Sequence, residues 1–310
     1  NDGSGKFSIQ TKSFAQELEN IGMVTDATWT DINKDGWMDL VVVGEWMPVS
    51  IFVNEKGQLR NRTKEFGLDE LTGLWTSVKV SDINKDGQQD LLLGNWGENS
   101  KWHASKQYPL IMYEGDLDEN FYPEQLLATE KNGCYYSFLG KDELQKVLPG
   151  VIRKKYPDYK SFAGQTIDEI FGAKLASLKK MSAATLSSMV LVYNNGKFEP
   201  INLPSEIQWS PVFSWITGDF NEDSFPDILA AGNFHNVLPY EGAYDASYGT
   251  LLLGNTSRNF TAASMLQSGI DIKGEVRDMK MIRMANGRNV IAVAINNKRL
   301  RFISLNNTGK

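Results

Sequence analysis

The sequence predicts an all-β fold assembled from repeated antiparallel units, and three observations predict it. An acidic, glycine-centred loop, "DINKDG", occurs at residues 31–36 and again at 82–87. Each copy stands between a strand rich in aromatic or β-branched residues and an apolar strand that ends in Gly plus an aromatic. Turns built on Asn and Gly then lead into further apolar segments, the pattern of hairpins, because both residues tolerate positive φ.

Taken in order, "TDATWTDINKDGWMDLVVVGEW", "LWTSVKVSDINKDGQQDLLLGNW" and "PVFSWITGDFNEDSFPDILAAGNF" are three clear copies of one unit. "PLIMYEGDLDENFYPEQLLAT" is a weaker fourth, and "EVRDMKMIRMANGRNVIAVAINNKRLRFISL" keeps the strand rhythm without the acidic loop. Turn-plus-strand tails begin at Asn54, Asn194 and Asn255, and a similar "NDGSGKF" opens the chain. Each unit then holds about four antiparallel strands, which is the blade of a β-propeller. About five repeats are present across residues 1–310. The opening "GSGKFSIQT" reads as an outer strand without its blade, and the last repeat lacks an outer strand of its own. Either these two ends complete one blade, or the chain is the end of a larger ring.

From about Lys141 to Ser187 the period changes. Leu144, Val147, Leu148, Val151 and Ile152 fall at helical spacing, and "TIDE" from Thr166 resembles a capping box ahead of Ile170, Phe171, Leu175 and Leu178. This is a helical insertion in the propeller, expected to pack as a lid.

Composition narrows the function. With 41% hydrophobic residues the chain buries a proper core, and no apolar run reaches the roughly 20 residues of a membrane-spanning helix. The N-terminus lacks a signal-peptide pattern, but "NDGSGKF" looks like a cut edge, so export is not excluded and any targeting segment would lie upstream. A formal charge of -6 argues against a nucleic-acid partner. The one dense basic run, Arg153-Lys154-Lys155, reads as a solvated helix face. Cys134 is the single cysteine, which excludes an internal disulfide and every Cys-rich metal motif, and it reads as a small buried hydrophobe.

The acidic loops carry the chemistry. Asp31, Asn33 and Asp35 aim side-chain oxygens at one centre, the Trp37 position offers a backbone carbonyl and Asp39 a further carboxylate. Such an all-oxygen cage suits Ca²⁺, which takes six to eight ligands at about 2.3–2.6 Å. The second set is Asp82, Asn84, Asp86, Gln88 and Asp90, and the third is Asp219, Asn221, Asp223, Phe225 and Asp227. About three Ca²⁺ sites are expected, with a weaker fourth at Asp116, Asp118, Asn120 and Glu124. Ser224 and Phe121 stand where the first two loops have glycine. An EF-hand is excluded, because position 12 is Val42, Leu93 or Ala230 rather than Glu, inside an apolar strand. The alternative is an Asx turn held by local hydrogen bonds without metal.

These three copies resemble the FG-GAP/VCBS repeat of integrin-α-like propellers. The stretches "GNWGENSKWHAS", "GNFHNVLPYEGAYDASYGTLLLGN" and "GEVRDMKMI" are similar to the C-terminal part of large bacterial VCBS-repeat proteins related to the ASPIC/UnbV group. The resemblance implies calcium ligands at the loop positions above, upstream repeats of the same polypeptide, and an extracellular, outer-membrane-associated or periplasmic protein of a Gram-negative, Bacteroidetes-like bacterium.

The turns on the opposite face hold Trp46, Trp96, Trp102, His103, Phe234, His235 and Tyr240. They are candidates for binding a protein or glycan at the cell surface, with blade-to-blade packing as the alternative role. No catalytic residues are assigned, since no nucleophile elbow, metalloprotease motif or phosphate loop occurs. The leading expectation is a non-enzymatic, calcium-stabilised binding propeller. The alternative is a carbohydrate-active enzyme, a lyase or hydrolase, on the same scaffold.

Overall fold

The computed structural model describes residues 3–237, 242–256 and 259–305. A four-residue helix, α1 (Thr11–Phe14), precedes the first blade. Blade 1 comprises β1 (Met23–Thr30), β2 (Asp39–Pro48), β3 (Ser50–Asn54) and β4 (Leu59–Asn61), with β5 (Thr72–Leu74) pairing along the far end of β2. Blade 2 starts with β6 (Ser77–Ser81) and β7 (Asp90–Gly94).

The chain then leaves the blade to build a separate sheet from β8 (Leu110–Gly115), β9 (Glu124–Lys131), β10 (Cys134–Ser137) and β11 (Lys179–Ala183), in the order β10-β9-β8-β11. It returns as β12 (Met189–Asn194) and β13 (Lys197–Ile201), and β12 pairs with β7 to finish blade 2. Blade 3 is β14 (Val212–Gly218), β15 (Asp227–Gly232), β16 (Thr250–Gly254) and β17 (Phe260–Ala262). Among the described residues blade 4 has three strands, β18 (Val276–Arg283), β19 (Asn289–Ile295) and β20 (Arg301–Ser304). All pairings within these sheets are antiparallel. The inner strands β1, β6, β14 and β18 pack side by side in that order, the arrangement of a β-propeller.

Four points differ from the sequence expectation, the fourth being the extent of the helical stretch. The fourth repeat is not a successive blade: β8 and β9 belong to a sheet inserted between the second and third strands of blade 2, and its edge strand β11 packs on β2 and β5. The opening segment forms no strand, and Phe7 and Ile9 are exposed. Cys134 is exposed as well, because it begins β10 directly after the Asn132–Gly133 turn.

The helical stretch runs through α2 (Lys141–Val147), α3 (Pro149–Lys155), α4 (Tyr159–Phe162) and α5 (Ile167–Phe171), followed by a 3₁₀ turn to Ser177. It ends ten residues before the expected boundary, because Lys179–Ala183 pairs with β8. Thr166 and Glu169 form the capping box at the start of α5. Leu144, Leu148, Ile152, Ile170 and Phe171 bury against Ile111, Leu126 and Ala128 of the inserted sheet, giving it a core of its own.

Between blades the core is layered. Val41, Val43 and Ile51 of blade 1 meet Val78, Leu91 and Leu191 of blade 2. Leu92 and Val190 on the other face of blade 2 meet Trp215, Ile228 and Leu252. Ile216, Leu229 and Leu251 meet Met279, Ile291 and Val293. Period-2 alternation accounts for this, since successive side chains of one strand serve opposite interfaces.

The apolar strands end in glycine because the next backbone comes too close for a side chain. A Cβ on Gly94 would lie 2.0 Å from the Val212 carbonyl oxygen of blade 3. Gly94→Ala should therefore cost about 1–3 kcal/mol or more of stability through overpacking. Equilibrium urea unfolding checks this, and an unchanged midpoint would contradict the close approach.

Candidate metal loops and the opposite face

Each acidic loop joins the first two strands of its sheet, so the loops of blades 1, 2 and 3 lie on one rim. Asp31 accepts the amides of Asp35 (3.1 Å) and Gly36 (2.9 Å), and Asp35 accepts that of Trp37 (2.8 Å) and the Asn33 side-chain amide (3.0 Å). The same contacts recur for Asp82 and Asp86, where Asn84 donates to Asp86 and the Gln88 amide closes the turn. They recur again for Asp219 and Asp223, with Asn221 and the amides of Ser224 and Phe225.

Positions 4 and 6 are left-handed in every loop: Lys34 and Gly36, Lys85 and Gly87, Glu222 and Ser224, Glu119 and Phe121. Ser224 (φ 74°) and Phe121 (φ 72°) thus adopt the glycine conformation at a steric cost. The substitutions do not alter the loop path.

The ninth residue does more than the sequence indicates. Asp39, Asp90 and Asp227 are 0% exposed. One oxygen of each accepts an amide inside its own loop, from Ile32 (2.9 Å), Ile83 (2.9 Å) or Phe220 (2.7 Å). The other accepts an amide at the third strand, from Asn54 (2.7 Å), Tyr193 (2.9 Å) or Gly254 (2.9 Å). One carboxylate therefore ties the second strand to its own loop and to the third strand. Burial pushes all three carboxyls above the ordinary range, the loop aspartates add to this, and the two amides partly offset it.

The fourth loop keeps this architecture in the inserted sheet. Asp116 accepts the amides of Asn120 and Phe121, and buried Glu124 accepts that of Leu117 (2.7 Å). Among the described residues, only Asp116, Asp118 and Glu124 bring three carboxylates within 4.8 Å of one another, and Asp118 Oδ1 is buried without a partner. An orphaned buried carboxylate oxygen beside two others fits a hard cation. In the other loops Asn occupies position 3, and the carboxylates spread around the turn amides.

On the opposite face the aromatics converge. Trp96 stacks on Trp102 at 5.0 Å and meets Phe234 and Tyr244, each at 5.3 Å. Trp46, Trp96 and Trp102 pack beside Leu74, Leu110 and Leu186, between the blades and the inserted sheet. His103 and His235 are exposed, and Tyr240 lies outside the described residues.

A cavity of about 540 Å³ opens at the axis among the inner strands. Its lining includes Asp26, Glu45, Trp96, Phe234 and Arg277. Glu45 occupies the place of Asn95 and Asn233, which are buried and hydrogen-bonded across the turns. Glu45 has no hydrogen bond or ion pair among the described residues, and desolvation raises its carboxyl above the ordinary range. Arg277, which the sequence did not single out, stacks on Phe213 (4.6 Å) and pairs with Glu275 (2.9 Å). Its signal is positional: Thr25, Phe213 and Arg277 all occupy a register shift at the start of an inner strand.

A family model described as an FG-GAP-like repeat matches residues 31–93. The match runs from the first acidic loop through the second and into β7. No curated protein matches the chain. Among solved structures, BBS1N in complex with ARL6DN is similar over 94% of this chain and 95% of that one, at 11% identity and a TM-score of 0.23.

Two outcomes follow from the buried knot. Asp90→Asn sets an NH₂ group against a backbone amide, so it should cost about 1–3 kcal/mol in chelator, read by urea unfolding. The folded carboxyl titrates above its unfolded value of about 3.9, so ionising it weakens the fold as pH rises through the raised pKa. The stability gap between wild type and Asp90→Asn should therefore narrow with rising pH across that window.

Proposed function

We propose that this chain is a calcium-stabilised propeller that binds a protein partner, and that it works outside the cytoplasm in the envelope of a Gram-negative bacterium. FG-GAP-like repeats on a propeller of antiparallel sheets support a protein-interaction scaffold. The observation that carries the metal half is the fourth loop, with its three convergent carboxylates and one unpartnered oxygen. Asp31, Asn33, Asp35 and Asp39 would hold one ion, with their counterparts in the second and third loops holding two more. Bound Ca²⁺ would supply charge neutralisation, joining the carboxylates that the loop crowds together.

The partner face is the axial cavity opposite the loops. Its unpaired Glu45 and the walls of Trp96 and Phe234 fit a cationic side chain, which gains from a desolvated carboxylate and from aromatic faces. The envelope location and the relation to the ASPIC/UnbV group rest on the sequence resemblance.

Calorimetric melts test the metal. Ca²⁺ at a hundredfold excess over Kd should stabilise the chain by about 2.7 kcal/mol per filled site relative to EDTA. Identical melting in both would overturn calcium stabilisation. For the partner face, Glu45→Gln should raise the melting temperature while weakening capture of proteins from envelope extracts; undiminished capture would remove Glu45 from the interface.

A further inference from the structure

The second, third and fourth acidic loops each carry a lysine that comes from another segment, and for two of them the donor is the preceding loop. Position 4 is Lys34 in the first loop and Lys85 in the second, both left-handed. Lys85 Nζ donates to the Ser224 carbonyl, at position 6 of the third loop. Lys34 Nζ stands at position 6 of the second loop, 3.7 Å from where a Cβ on Gly87 would lie. The same approach therefore runs from blade 1 to blade 2 and from blade 2 to blade 3.

Position 6 is where the backbone serves a loop carboxylate. The amides of Gly87 and Ser224 donate to Asp82 Oδ2 and Asp219 Oδ2, each at 2.9 Å. In the third loop one residue thus holds an aspartate through its N–H and an ammonium through its C=O.

The fourth loop takes its cation from the helical stretch. Lys174, in the 3₁₀ turn after α5, donates to the Leu117 carbonyl (2.8 Å) and lies 3.7 Å from Glu119. The Leu117 amide is bound by Glu124, so the residue between Asp116 and Asp118 is likewise held by a carboxylate on one side and an ammonium on the other. Position 4 changes sign accordingly: it is lysine in the two loops that give a cation and Glu119 in this loop, which receives one.

The Lys174 and Glu119 side chains are 50% and 85% exposed, and such an ion pair contributes little to stability by itself. A divalent ion is affected more. Its double charge doubles the repulsion from a fixed ammonium, and it takes over the carboxylates that otherwise balance that ammonium.

We infer that Lys34, Lys85 and Lys174 are tethered counter-cations of the second, third and fourth loops. They balance the crowded carboxylates while metal is absent and oppose its entry, and so set the calcium concentration at which each loop fills. This rests on the calcium reading above and adds the residues that tune it.

Calorimetric titration of the chelated chain with CaCl₂, and melts in EDTA and in saturating CaCl₂, test this. Lys34→Met, Lys85→Met and Lys174→Met should each tighten calcium binding at one site by about threefold or more at low salt. Each should also melt below wild type in EDTA but not in saturating CaCl₂, so the interval between the two melts widens. The corresponding Arg variants keep the charge and should match wild type in both. A lysine that only braces the backbone would lower both melts alike without tightening the site. That result, or an unchanged affinity, would overturn the proposal and leave calcium stabilisation standing. A wild-type chain that takes up no calcium would overturn both.

Discussion

A buried carboxylate at the ninth position of each acidic loop is the interaction on which the blades depend. An ionised group removed from water is costly unless it is hydrogen-bonded, and here each oxygen receives a backbone amide. One amide comes from the loop and the other from the third strand. The residue that ends the loop is also the first residue of the second strand, so its side chain sets the loop and the second and third strands relative to one another at one rim. Fully extended β-structure elsewhere in the blade then follows from register, since a slip by one residue would bring every apolar side chain to the wrong interface.

Spacing made much of this legible. The repeated Asp-x-Asn-x-Asp pattern and the apolar runs that follow it mark loops and second strands, and both features occupy the expected places. The capping box at Thr166 was equally readable, because it is a local signal. What could not be read was long-range. The pairing of Leu91–Leu93 with Met189–Leu191 joins segments separated by the whole inserted sheet, and no local pattern in "PLIMYEGDLDENFYPEQLLAT" distinguishes an inserted sheet from a blade. The exposure of Cys134 is likewise set by its place after a hairpin turn rather than by its residue type.

At the candidate sites, the loop positions were legible but the convergence of their carboxylates was not. Glycine at position 6 marks the easiest backbone, whereas convergence of carboxylates depends on which positions hold them. Asp at position 3 and Glu at position 9 bring the fourth loop's oxygens together although Phe121 pays a conformational cost there. On the other face, aromatics that read as one binding row divide into two groups. The tryptophans seat the inserted sheet, while Phe234 and Trp96 also border the axial cavity beside Glu45. The Glu45 carboxylate stands out only by comparison with Asn95 and Asn233, whose side chains are satisfied.

The most direct measurement of the central knot is amide hydrogen exchange at Asn54, Tyr193 and Gly254 in the chelated protein. If buried aspartates hold the third strands, these three amides exchange only with global unfolding, and Asp39→Ala releases Asn54 while Tyr193 and Gly254 stay protected. Rapid exchange of all three amides in the wild-type chain would contradict it.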